Sequence, residues 1–549
     1  MTAESLMQKI YEGTLAKGLF DSFSPIFDAR KVERVIEAYR HLLQKFSPET
    51  LESRGHLPQD MLQEMAGIGL FGLSIPAAYG GRGFTTSETM RVVEGMVGLD
   101  MAAALASLAH LFIGVKGIEL FGNEVQKQKY LVPAASGELI FSYALTEPKI
   151  GSDAQHIETR VELSPDGSHY LLNGKKTYIT NANYAGVLTV FAQMDPTRPG
   201  FMGAFIVETA WNGVKIGKDM PKMGLKASST AAIQFRDVKV PVENLIGAPG
   251  DGFKIAMTIL NFGRLALGAA SLAMIRQSLK DMRKRSSSRI QFGAPIKDFP
   301  LIQEKLTKAQ VNHFACAAIN DFTAMLLQQN PKSNLAMETS HCKLFGTTRA
   351  WDTLYDAFQV AGGSGYIATN PYEKRLRDFR VATVFEGTTE IHSIYPALSA
   401  LRALSKQVNE MKERKSSFLR FFLTNLFSRI DWPMKFKDKT LNKASRLARA
   451  NADTIRRMLL LGWVIYRKKA PEKQFLLRRI TTLSLYLYGL LAIMAKLAHD
   501  EQAGQLKKED LILLQYFMEE AREIRKNNRR FLDSRKERLT AAITQALFQ

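Results

Sequence analysis

Cysteine is nearly absent: Cys316 and Cys342 are the only two in 549 residues. That excludes a disulfide framework, no spacing suggests a metal site, and reduced, buried thiols are expected. Acidic residues are scarce beside basic ones, 53 against 74, which leaves a net charge of +21. The N-terminus has no apolar core of a secretory signal, and Glu4, Glu12 and Asp21 argue against an acid-poor organellar leader. A bacterial cytoplasmic protein or a processed mature form is expected. The uncharged apolar run Ile480 to Ala495, about sixteen residues, falls short of the roughly 20 that a membrane span needs. It predicts a buried helix of a C-terminal bundle. No solenoid-period repeat and no low-complexity tract occurs.

What is present is unevenly placed. Residues 402–549 hold 32 Lys+Arg against 15 Asp+Glu, a net of +17, so the basic character belongs to the tail. Its clusters Arg467-Lys468-Lys469, Arg478-Arg479 and Arg525 to Arg530 lack interleaved aromatics, so no nucleic acid is expected and anionic lipid is the better partner. Residues 1–139 read as helical, with Val32, Val35, Ile36, Tyr39, Leu42 and Leu43 at helical spacing. Between 140 and 250 the period becomes two, with Asp-Pro, Arg-Pro-Gly and Asp-Gly punctuation, which predicts a β domain. Helices return over 254–286, 300–329, 334–362 and 386–404, a bundle within 251–404, before a basic helical extension over 405–549. The class is α+β, with ligand expected where the segments meet.

The run Arg377 to Ile391 sets Glu386 among Val384, Phe385 and Gly387. A carboxylate in apolar surroundings has a raised pKa and suits general-base work, although an ordinary loop Glu has the same local look. A second Gly-rich segment, Gln359 to Tyr366, precedes it.

Residues 20–400 resemble an acyl-CoA dehydrogenase. The likeness is carried by Gly69 to Pro76 with Tyr79-Gly80-Gly81, by Tyr143 to Pro148 with Gly151-Ser152-Asp153, and by Asn173 to Lys176 leading into Tyr178 to Asn181. It continues through Lys222 to Lys226, Arg289 to Gly293, the segment 359–366 and the Phe-Glu-Gly-Thr around Glu386. Among members, those acting on long and very long chains at membranes also carry such an extension. The resemblance implies an N-terminal helical domain, a middle β domain and a C-terminal helical bundle. It also implies FAD as cofactor and oxidation of long-chain acyl-CoA to the trans-2-enoyl thioester in fatty acid β-oxidation. Electrons would pass to an electron-transfer flavoprotein.

On this resemblance Glu386 is the base. Tyr143, Leu145, Thr146, Ser152, Tyr178 and Thr180 bind flavin, with Tyr178 where a Trp is common. Arg289, Phe292, Gln359 and Gly363 complete the adenosine diphosphate site across a subunit boundary, and Thr388 and Glu390 add cofactor contacts. Ser152, Arg264 and Gly387 meet substrate. Some members carry the base just before the Arg264 position; Gly263 stands there, which leaves the role to Glu386. Acyl length is expected to depend on the helix near 102–114, where Ala102, Ala103, Ala104, Ala106 and Ala109 leave room and Leu108 and Leu111 cap it.

Members with the extension are dimers, so a homodimer is expected. Within the extension, residues 416–433 set Phe418, Leu419, Phe422, Leu423, Leu426, Phe427 and Ile430 on one face and Arg420, Thr424, Asn425, Ser428 and Arg429 on the other. Two readings stay open: a helix lying in an anionic membrane surface, or one packed on the body. The membrane reading places the protein on the inner membrane of a bacterium or on its matrix face in mitochondria. The rival to catalysis is a membrane-associated assembly or scaffold protein that retains a flavin site.

Overall fold

A computed structural model describes residues 5–15, 18, 23, 24, 27–413 and 418–548. Among the described residues, eight helices precede the sheet: α1 (Leu6–Tyr11), α2 (Ala29–Lys45), α3 (Pro48–Arg54), α4 (Gln59–Ile68), α5 (Thr86–Leu99), α6 (Met101–Ala109), α7 (Lys116–Phe121) and α8 (Glu124–Ser136). Capping boxes at Thr85–Glu88 and Asn123–Gln126 start α5 and α8. The apolar run from Ala102 to Leu120 is split between two helices joined by a π-helical turn, His110–Gly114. His110 fixes that turn: its Nδ1 accepts the Phe141 N–H at 3.0 Å.

Eight strands form one sheet: β1 (Ile140–Ala144), β2 (Arg160–Leu163), β3 (His169–Thr180), β4 (Ala185–Gln193), β5 (Met202–Glu208), β6 (Val214–Ile216), β7 (Thr230–Pro241) and β8 (Leu245–Ile246). Their order is β6-β7-β3-β2-β4-β5-β8, with β1 parallel to β4. The register of β3 against β7 shifts between Lys176 and Ile179, and Tyr178 there takes a φ of 57°.

Helices resume with α9 (Gly252–Ser288), a short hairpin β9 (Ile290–Gln291) and β10 (Ala294–Pro295), then α10 (Pro300–Gln329), α11 (Ala336–Ala361), α12 (Gly363–Tyr366), α13 (Pro371–Phe379) and α14 (Thr389–Glu413). Helix α9 is buried on all sides from Asn261 to Ile275, the state expected of a helix apolar all round. The helix expected over 386–404 starts later, at Thr389, because Glu386 and Gly387 take φ of 58° and 98° and cannot join a right-handed helix. It runs on to Glu413, so that Lys412-Glu413 is a helix end; Arg414 and Lys415 lie outside the described residues.

The extension adds α15 (Phe418–Phe427), α16 (Lys439–Tyr466), α17 (Gln474–Gln502), α18 (Lys508–Asn528) and α19 (Arg535–Leu547). Helix α17 carries the Ile480–Ala495 run and is a core helix. Its Tyr488 hydroxyl meets Thr323 Oγ1 at 2.8 Å, and its Ser484 Oγ meets His341 Nε2 at 2.7 Å. Among the described residues, three stretches are long and apolar enough to cross a membrane, Met101–Phe121, Gly252–Ser288 and Gln474–Gln502. Each has more than four-fifths of its apolar window buried inside the fold.

Because Leu491 is fully buried in a core shared by extension and bundle, Leu491→Ala should cost about 2–5 kcal/mol. Chemical denaturation followed by circular dichroism should show one transition displaced to lower denaturant. Two separate transitions, with only one displaced, would show that the extension folds independently.

Candidate active site

Glu386 occupies a backbone conformation that a side-chain-bearing residue rarely adopts, with φ 58°. Three side chains hold it there. Lys343, fully buried on α11, donates from Nζ to the Gly387 carbonyl at 2.6 Å. His392 Nε2 lies 3.0 Å from the Glu386 carbonyl, and its Nδ1 meets Ser340 Oγ at 2.7 Å. The neutral tautomer with its proton on Nε2 satisfies both contacts. Arg264 Nε approaches the Glu386 carbonyl at 3.5 Å. Gly387 is required: its φ is 98°, and a Cβ there would meet His392 Nε2 at 2.7 Å. Gly263 is required for space, since a Cβ on it would lie 2.9 Å from the Glu386 carboxylate. The residue that cannot be a base is the one that makes room for it.

Glu386 Oε2 has no hydrogen-bond partner, and burial pushes the group up to about 7, against the opposing pull of Arg264 and Lys343. Burial also pushes Lys343 down, to about 8.

Glu386 opens into a cavity of about 420 Å³. One wall is a stripe at helical spacing, Met101, Leu105, Leu108, Ala109, Phe112 and Ile113; another is Phe253, Met257, Leu260, Leu267 and Ala270 of α9. This corrects the expectation for the helix near 102–114. Ala102, Ala103, Ala104 and Ala106 are buried but do not line the cavity, nor does Leu111, because a helix presents only one stripe to a neighbour. Of the alanines only Ala109 faces it, and Leu108 is joined there by Leu105.

The opposite side is polar. Tyr143, Leu145, Thr146, Ser152, Tyr178 and Thr180 line it, together with Arg264 and Gly387. The bulge in β3 turns Tyr178 outward, 67% exposed. A buried ion pair fixes this wall: Lys176 Nζ donates to Glu147 Oε1 at 2.8 Å and to the Leu145 carbonyl at 3.0 Å. Glu147 also accepts the peptide N–H groups of Glu158 and Thr159. Burial works to raise its pKa, but Lys176 and those donors outweigh it and hold the carboxylate low.

The remaining expected residues lie outside this cavity. Arg289 and Phe292 sit at the β9–β10 hairpin, Phe292 almost fully exposed, and Gln359 and Gly363 lie at the end of α11 and start of α12. Those two regions adjoin, Arg285 Nη2 reaching the Ala361 carbonyl at 3.4 Å. Thr388 and Glu390 follow the base without lining the cavity. Lys343, His392 and Ser340 were not identified from sequence. A Lys within the apolar stretch of α11 was the one available signal.

Three family models match in succession: acyl-CoA dehydrogenase N-terminal domain over residues 32–138, middle domain over 142–238 and C-terminal domain over 250–395. The chain is 32% identical over 500 residues to a very long-chain specific acyl-CoA dehydrogenase, mitochondrial, of Macaca fascicularis, covering 86% of this chain and 74% of that one. The chain belongs to the acyl-CoA dehydrogenase family. Among solved structures, an acyl-CoA dehydrogenase complexed with FAD from Bacillus anthracis matches with TM-score 0.81 at 28% identity, covering 95% of this chain and 92% of that one. Butyryl-CoA dehydrogenase from Megasphaera elsdenii matches with TM-score 0.63 at 30% identity, and covers only 67% of this chain though 97% of its own. The extension is thus shared with some members of the family and absent from others.

An acyl-CoA dehydrogenase is an FAD-dependent oxidoreductase, and this cavity fits the cofactor. Thr146, Ser152 and Thr180 line it, their hydroxyls without a hydrogen-bond partner among the described residues and suited to the ring's acceptors. Tyr178 offers an aromatic face beside them.

The raised pKa of Glu386 has a consequence for stability. Between about 4.5, its ordinary value, and about 7 the folded state keeps a proton that the unfolded state has lost. Stability from this group is therefore full below 4.5 and falls as pH rises through 7, by up to about 3 kcal/mol. Glu386→Gln should match wild type in thermal unfolding near pH 4.5 and exceed it at pH 8. Equal midpoints at pH 8 would mean that the carboxylate ionises freely.

Proposed function

We propose that the protein catalyses α,β-dehydrogenation of long-chain fatty acyl-CoA to the trans-2-enoyl thioester, with Glu386 as the base. The observation that carries this is the Glu386 carboxyl, pushed up to about 7 by burial and with its Oε2 unpartnered, lining a cavity with apolar walls on two sides. The thioester carbonyl would dock against the peptide N–H of Glu386, which donates to no group among the described residues. Enolate-like charge on that oxygen is stabilised there and by Arg264, whose Nη1 is buried without a partner. Glu386 removes the α-proton as that charge develops, and the apolar walls keep water from competing. Bound FAD supplies the two-electron oxidant that accepts the β-hydrogen as hydride.

The apolar stripe from Met101 to Ile113 and the facing side of α9 would take the acyl tail, which favours long chains. Electrons would leave to an electron-transfer flavoprotein at the rim marked by exposed Tyr178. Arg289, Phe292, Gln359 and Gly363 would complete the cofactor's adenosine diphosphate site across a subunit boundary, making the protein a homodimer, and Thr388 and Glu390 would add cofactor contacts beside Glu386. The four segments 1–139, 140–250, 251–404 and 405–549 remain our division into domains.

The extension would sit on an anionic membrane, the bacterial inner membrane or the mitochondrial matrix face. Its helix α15 supports this in part. Leu423 and Phe427 project outward, 43% and 73% exposed. Ile430, expected on the same face, is fully buried and bonded through its N–H to Asp453 Oδ1, and Arg457 clamps the Leu426 carbonyl at 3.0 Å. Residues 416 and 417 lie outside the described residues, as do the side chains of Phe418 and Leu419. Leu423→Asp with Phe427→Asp should release the protein from phosphatidylglycerol vesicles in a sedimentation assay while activity on soluble substrate persists. Unchanged sedimentation would make α15 a packing element only.

Anaerobic titration with palmitoyl-CoA, followed by visible flavin absorbance, tests the reaction. Wild type should bleach, and Glu386→Gln should bleach at least about 10³-fold more slowly. A bound flavin that never bleaches with any acyl length would favour the scaffold reading.

A further inference from the structure

Six consecutive residues of α11, Glu338 to Lys343, carry a polar or thiol side chain, and none is more than 2% exposed. Burying such a run is costly unless each member is bonded, and here each meets a different element. Glu338 Oε1 accepts the Ser5 hydroxyl at 2.6 Å and the Met7 N–H at 3.0 Å, which holds the start of α1. Thr339 Oγ1 donates to Asn261 Oδ1 of α9 at 2.9 Å, and Cys342 Sγ lies 3.8 Å from Asn320 Nδ2 of α10. Ser340 meets His392 of α14, His341 meets Ser484 of α17, and Lys343 holds the Gly387 carbonyl.

Helical periodicity sorts these contacts. Successive residues turn by about 100°, so Glu338 and His341 share one side of α11, while Ser340 and Lys343 share the nearly opposite one. The first side is held by α1 and by the extension's α17. The second holds the loop that carries the base, Lys343 at the Gly387 carbonyl and Ser340 through His392 at the Glu386 carbonyl. Leu6, Met7 and Ile10 of α1 are fully buried. Burial raises the Tyr11 hydroxyl, and Ser484 lies close enough to oppose that rise, so α1, α11 and α17 converge on one serine. Burial pushes His341 down to about 3, which keeps its ring neutral. Its Nδ1 is buried without a hydrogen-bond partner, so Ser484 is what fixes the imidazole among the described residues.

We propose that His341, fixed by Ser484 of the extension, is a positioning residue for the base, so that α11 transmits the docking of α17 to Glu386. His341 does not line the catalytic cavity. It acts by setting the depth and rotation of α11, and with them Lys343 and Ser340. A close-packed interior passes such a shift on rather than absorbing it. A displacement of about 1 Å at the carboxylate is enough to slow proton removal, while the cavity walls that take the acyl tail stay in place. The inference rests on the dehydrogenase reading and deepens it, because it makes the extension part of what aims the base.

The test measures kcat and KM for palmitoyl-CoA in the full-length chain with its flavin bound. Ser484→Ala should lower kcat on the order of tenfold with KM unchanged, and Ser484→Thr, which keeps the hydroxyl, should restore it. The double variant His341→Leu, Ser484→Ala removes both partners and leaves no buried ring nitrogen unsatisfied. It should unfold close to the wild-type temperature yet keep the tenfold loss. Leu491→Ala, which weakens the same helix two turns away, should retain wild-type kcat at a temperature where it is folded. Wild-type kcat in the single or the double variant overturns the proposal. So does an equal loss in Leu491→Ala, since that is loosened packing rather than lost aim, and so does a KM that rises as kcat falls. A wild type that oxidises no acyl-CoA would instead strike the dehydrogenase reading.

Discussion

A buried lysine holding a backbone carbonyl is the contact on which the site depends. Lys343 Nζ, with no exposure to solvent, reaches Gly387 at 2.6 Å and so fixes two consecutive residues in the left-handed region. That bond, its companion from His392 and the approach of Arg264 to the Glu386 carbonyl together offset the strain at Glu386. The same ammonium sits close enough to favour the ionised base, against the desolvation that raises its pKa. Lys343 thus helps to fix the direction of the Glu386 carboxyl and, with Arg264, partly offsets the burial that raises its pKa. Gly263 completes the arrangement by giving way to the carboxylate from α9.

The rest of the fold serves to make that contact possible. Helix α9 is buried on every side through its middle and carries Gly263 and Arg264 at fixed depth; α11 lies along it and carries Lys343. The extension's α17 packs against α10 and α11 through Tyr488 and His341 contacts. That explains how a basic tail and a catalytic bundle share one core. On the other side, the Glu147–Lys176 pair ties the end of β1 to β3 and so positions the polar wall facing the base.

Much of this was legible in the sequence, and for physical reasons. The change from period 3.6 to period two is a direct imprint of burial, so the β domain and the 300–329 helix were readable from pattern alone. Glu386 stood out because an ionisable group among apolar neighbours is costly unless used. The late start of α14 was not legible, since a positive φ at Glu leaves no local mark. Lys343 and His392 were missed because their partners lie 44 and 6 residues away across a loop, and only the tertiary fold sets those distances. The alanines near 102–109 misled because composition shows room, whereas only orientation shows which stripe meets the cavity. For α15 the amphipathic pattern was read as a pattern, but Ile430 is buried, its peptide N–H bonded to Asp453, and among the described apolar side chains of that face Leu423 and Phe427 are the exposed ones.

The central claim is that a desolvated carboxylate at Glu386, tuned by Lys343 and Arg264, removes the α-proton. Its most direct test is the pH dependence of kcat/KM for a long-chain acyl-CoA, which reports the free enzyme's base. The account predicts a rate that rises with unit slope and levels off near pH 7, in keeping with the value to which burial pushes Glu386. A profile already level from pH 5 upward would contradict it, because the base would then be an ordinary solvated carboxylate or another group altogether.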